Sequence, residues 1–109
     1  MLLSTTDSIC GKTIARHLGL VKGNTVRTRH EGQGFLAILQ RMVGGEVTVY
    51  TKLTAEAREQ ALDRMVEEAR QLGANAIVGV RFASSEVMSR AAELLAYGTA
   101  VVVEDTKTN

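Results

Sequence analysis

The chain has 109 residues, of which 45% are apolar and 23% charged, and its formal net charge is +1. That is the size of one domain and the composition of a folded one, so intrinsic disorder is excluded as the main state. The nine arginines are scattered among acidic neighbours, which speaks against the concentrated basic face of a nucleic-acid-binding protein.

Leu2 to Thr5 reads as a short strand, and the polar stretch Thr6 to Lys12, with Gly11, as a turn. Thr13 to Arg29 reads as strand segments interrupted at Lys22-Gly23-Asn24 by a bulge or turn. A short helix over Thr13 to Leu18 is the alternative. Phe35, Ile38, Leu39, Met42 and Val43 recur at helical spacing and predict a short helix, ended by Gly44-Gly45. A longer helix is predicted over Thr51 to Leu72, where Ala61, Leu62, Met65, Val66, Ala69 and Leu72 form one apolar stripe. Thr51 or Thr54 would cap its start and Gly73 would end it.

Beyond Gly73 the period changes to two. Ala76, Val78, Val80 and Phe82 share one face, with Ile77, Gly79 and Arg81 on the other. Leu95, Tyr97, Thr99, Val101 and Val103 likewise alternate with Leu94, Ala96, Gly98, Ala100 and Val102. Both faces are largely apolar, so each is expected to be covered, one by the helices and one by a neighbouring subunit. Ser84 to Glu93 reads as an extended hairpin end, and Thr106 to Asn109 as a frayed tail after a single domain over residues 1–105. The expected fold is α+β: two layers, with a mainly antiparallel sheet packed by one long and one short helix.

No proline or tryptophan occurs, and Phe35, Phe82, Tyr50 and Tyr97 are the only aromatic residues. A core of small side chains buries little area each, and assembly into a homo-oligomer would add to it. Cys10 is the single cysteine, which suits a reducing compartment. The N-terminal segment does not read as a signal peptide, and no apolar stretch approaches the roughly 20 residues of a membrane span. The expectation is a cytoplasmic protein without membrane or nucleic-acid partners.

Catalytic signals are weak. Ser84 and Ser85 lack a nucleophile elbow. Glu67 and Glu68 diverge by about 100° round a helix and form no acid–base pair. Gly44-Gly45 is followed by Glu46, which disfavours an anion loop. The reading leans away from an enzyme.

The ordered pattern resembles the small YbjQ-like proteins of bacteria and archaea. It runs through Val43-Gly44-Gly45, Tyr50, Leu53 and Ala57-Arg58-Glu59-Gln60-Ala61-Leu62. It continues through Glu67 to Phe82 and through Ala96-Tyr97-Gly98-Thr99-Ala100-Val101-Val102-Val103-Glu104. The opening Leu3 to Thr6, Gly11-Lys12 and Leu18 to Gly23 match as well. The departure lies after Phe82, where Ala83 replaces the usual acid and Glu86 to Ala92 replaces a glycine-rich hairpin tip.

The resemblance implies a dodecin- or YbjQ-like subunit that assembles into a ring-shaped pentamer, with itself as partner and an unknown small ligand at subunit interfaces. Tyr50 and Arg58, which match the family pattern, are the ligand or interface candidates, with Glu46, Glu56 or a carboxylate of another subunit as the partner of Arg58. The family's heavy-metal label implies a divalent or soft metal ion. Cys10, His17 and His30 are the candidate ligands, spaced seven and thirteen residues apart, unlike a compact metal motif. The leading expectation is a non-enzymatic homo-oligomer. A heavy-metal-binding protein and an enzyme with a composite inter-subunit site are the alternatives.

Overall fold

The computed structural model describes residues 1–28, 46–88 and 91–107. The short helix expected over residues 35–43 lies outside them. Four strands and one helix follow in chain order: β1 (Leu2–Leu3), β2 (Lys12–Thr28), α1 (Glu46–Gln71), β3 (Ala76–Met88) and β4 (Ala91–Asp105). The sheet order is β1-β3-β4-β2, with β1 parallel to β3 and the other pairs antiparallel. The α+β expectation holds.

β2 is one strand, neither split at Gly23 nor helical over Thr13 to Leu18. Its irregularities fall earlier, between Ile14 and Arg16 and between His17 and Gly19. Gly23 has a different task. A Cβ built there would lie 2.8 Å from Cβ of Arg64 and still closer to the backbone of Ala61 and Met65. The helix thus rests directly on the strand, through Ala57, Ala61, Met65 and Ala69 at four-residue spacing, all buried. Two hydrogen bonds fasten this contact. Thr25 Oγ1 donates to the Ala57 carbonyl at 3.1 Å, and Arg64 Nη1 to the Asn24 carbonyl.

The helix starts at Glu46, five residues before the expected cap at Thr51. Nothing between Gly45 and Thr54 breaks a helix, so its β-branched residues are absorbed at a few tenths of a kcal/mol each. At its end Gly73 has φ 88°. Ala74 N–H bonds the Ala69 carbonyl at 3.0 Å and Gly73 N–H the Arg70 carbonyl at 2.9 Å, a Schellman closure. Asn75 then acts as an extra rung of the sheet, donating from Nδ2 to the Val103 carbonyl and accepting from its N–H.

The core has two parts on opposite sheet faces. Against the helix lie Val21, Ile77, Val80, Ala96 and Ala100 with Met65 and its alanines. On the second face Ala76, Val78, Val101 and Val103 pack with Ile9 and Ile14. Part of that face is therefore covered by the chain's own N-terminal loop. Strict alternation fails in β3 at Gly79, where φ is 63°. The register slips there between Val78 and Arg81, a bulge that puts Val80 with Ile77 instead of Val78. Thr106 N–H donates to the Gly11 carbonyl at 3.0 Å.

Replacing Gly23 with valine should push α1 off β2 and destabilise the fold by about 1–3 kcal/mol. Urea denaturation of the variant beside the parent checks this; an unchanged midpoint would mean that the helix does not sit this close.

Candidate functional site

The N-terminal loop organises the second face. Gly79 N–H donates to the Thr6 carbonyl and Val80 N–H to the Ser4 carbonyl, both at 2.9 Å, and Ser4 N–H to the Ile77 carbonyl at 2.9 Å. The amides of the β3 bulge therefore bind the loop. Arg81 Nη1 donates to the carbonyls of Thr5 (2.6 Å) and Val80 (2.9 Å). The guanidinium is held by neutral carbonyls.

Because of the bulge, Arg81 shares a face with Val78 instead of Ile77, and pairs across the ladder with Tyr97. Lys22 pairs with Tyr97 from the other side. Directly opposed residues of antiparallel strands share a face, so Lys22, Tyr97 and Arg81 form one transverse row. Lys22 and Arg81 are exposed and Tyr97 is half-buried. Among the described residues no carboxylate forms an ion pair with either cation. Leu20, 66% exposed, lies beside the row on the same face.

The residues singled out by sequence are dispersed. Cys10 is exposed in the turn before β2. His17 is exposed on β2 opposite Val101, about 13 Å along the sheet from Lys12. His30 lies outside the described residues. Among the described residues no three His, Cys, Asp or Glu side chains converge as metal ligands. Glu46 and Tyr50 lie in the first turns of α1, with side chains outside the described set. Arg58 is exposed in the middle of that helix, far from the charge of either helix end. Its suggested partner Glu56 is two residues away and does not face it.

An open depression of about 400 Å³ runs along α1, lined by Ala55, Glu56, Glu59, Gln60 and Asp63. It is remote from the Lys22–Tyr97–Arg81 row, since α1 lies on the opposite sheet face. At the far end of the sheet Lys12 Nζ pairs with Asp105. The hydrogen bond from Lys12, and then its charge, hold the Asp105 carboxyl below the ordinary carboxylate range.

The comparisons with known proteins give no residue a role but place the chain. Residues 1–104 match the YbjQ family model, described as "Putative heavy-metal-binding". The chain belongs to this family. A UPF0145 protein of Methanosarcina acetivorans is 50% identical over 103 residues, covering 94% of this chain and 97% of the relative. One from Thermus thermophilus is 51% identical over 107 residues, covering 98% and 94%. Among solved structures, a protein of unknown function of the DUF74 family from Pediococcus pentosaceus superposes with a TM-score of 0.62. It is 16% identical and covers 95% of this chain and 98% of its own, a likeness of fold.

The Lys12–Asp105 pair has a defined pH signature. A lowered folded-state pKa contributes stability above the unfolded carboxylate value and loses it as pH falls through the lowered one. An NMR titration of Asp105 should show a midpoint below the usual carboxylate value, and Lys12→Met should move it back up.

Proposed function

We propose that this YbjQ-family chain is a non-enzymatic subunit of a homo-oligomer, ring-shaped and five-fold as the family resemblance implies. The carrying observation is an apolar flank that the described residues leave open. α1 lies mainly over β2 and β4 and meets β3 near Ile77 and Val80, short of Phe82. Arg64 marks the helix side over β2, so Leu62 and Val66 lie on the side toward β3. On the same sheet face Phe82 and Leu3 remain 45% and 42% exposed. The shape agrees: the radius of gyration is 17.7 Å, against about 13 Å for a compact domain of this length. A second copy supplies the missing cover. Static light scattering of the untagged protein should give a multiple of the 11.8 kDa subunit, and Phe82→Glu should shift it toward monomer. A monomer at micromolar concentration would refute the proposal.

The family description and the exposed thiol of Cys10 support a second reading, binding of a soft metal ion. Among the described residues of one subunit Cys10 and His17 take part in no such cluster, so this reading needs His30 or a second copy to complete the site. Thiolate is the ligand that favours soft metals. Cys10→Ser should therefore lower the metal retained per subunit after loading with Cu(I) or Zn(II), measured by plasma mass spectrometry; unchanged stoichiometry removes Cys10 from the reading. A reducing cytoplasm is the compartment that suits a free, exposed cysteine.

A further inference from the structure

The geometry points to a binding site for a small aromatic phosphate, of the chemistry a nucleoside monophosphate carries, on the second sheet face at Lys22, Tyr97 and Arg81. It stands independently of the assembly proposal, because all three residues belong to one subunit.

Three observations carry it. First, the register puts the residues in one row across adjacent strands. At about 4.8 Å per strand spacing, the two cations stand about 10 Å apart at Cα with the tyrosine between them. Second, both cations are exposed and neither forms an ion pair among the described residues. Arg81 is nevertheless oriented, since one guanidinium nitrogen is tied to the carbonyls of Thr5 and Val80. Those bonds go to neutral carbonyls and leave the other guanidinium nitrogens as donors for an anion. Third, the half-buried Tyr97 is flanked along its face by the exposed Leu20, an apolar surface suited to a flat ring.

The chemistry follows from the parts. A phosphate takes two charge-assisted bonds from a guanidinium, and an ammonium adds a point charge on the other side. A heteroaromatic ring stacks on tyrosine without needing a particular hydrogen-bonding edge. Asp7 is the acid of the adjoining loop. Its Oδ1 lies 4.0 Å from where a Cβ on Gly79 would stand, and among the described residues it forms no ion pair with Arg81. The row lies on an open face, so the ligand is held at one edge and remains largely solvated, and weak, exchangeable binding is expected.

Equilibrium dialysis of the intact oligomeric or monomeric protein against adenosine monophosphate tests the site. Saturable uptake of one nucleotide per subunit is expected. Lys22→Ala, at an exposed position, should weaken it about tenfold, as loss of a charged contact does. Tyr97→Leu should weaken it by a similar factor while leaving weak inorganic phosphate binding in place. Circular dichroism checks that each variant is folded. No saturable uptake at about 1 mM nucleotide would overturn the proposal. So would uptake indifferent to Lys22→Ala, or inorganic phosphate competing as well as the nucleotide. Because dialysis reads each subunit's site, failure here leaves the light-scattering result untouched.

Discussion

The close approach of α1 to β2 is the constraint on which the rest of the subunit depends. It is possible because Gly23 carries no side chain and because Ala57, Ala61 and Ala69 line the helix beneath. Small residues bury little apolar area each, roughly 25 cal/mol per Å², so the contact is stabilising only if it is tight and continuous. Met65 supplies the largest buried side chain along this seam. Having settled over β2 and β4, the helix reaches Ile77 and Val80 of β3 but leaves Phe82 and the β1 edge uncovered. Stability within the subunit and the open apolar flank at Leu3 and Phe82 therefore have the same origin.

The second organising feature is the bulge at Gly79. One residue in left-handed geometry turns two amides of β3 toward the N-terminal loop and shifts the phase of everything after it. Val80 joins the helix-facing core and Arg81 emerges beside Tyr97. The loop returns the contact by holding the guanidinium with the Thr5 carbonyl and by packing Ile9 against the cluster of Ala76, Val78, Val101 and Val103. One backbone irregularity thus links a packing decision on one face to a charge placement on the other.

How far all this was legible in the sequence depends on which force shapes each element. The apolar stripe of α1 and its glycine stop could be read directly, since periodicity and left-handed geometry are local properties. The two faces of β4 were legible for the same reason. Gly23 was read as a break because glycine usually punctuates; nothing local announces a helix arriving from 38 residues further on to meet it (Gly23 to Ala61). Simple alternation puts Arg81 on the wrong face, because a bulge has no period. The row it forms with Lys22 and Tyr97 comes from three strands and exists only through register. Cys10 and His17 qualify as metal candidates by residue type, and type alone carries no information about convergence.

The strand order has a consequence for how the molecule comes into being. β4 lies between β3 and β2, and its pairing with β2 joins Lys12 to Asp105, 93 residues away. A nascent chain emerging from the ribosome therefore holds β2, α1 and β3 with no sheet to join them until residues 91–105 have been made. Such non-local pairing makes folding slow for the chain's size. It also leaves the 17-residue β2 as an unpaired edge in the interval, a stretch prone to meeting its counterpart on another copy before it meets β4.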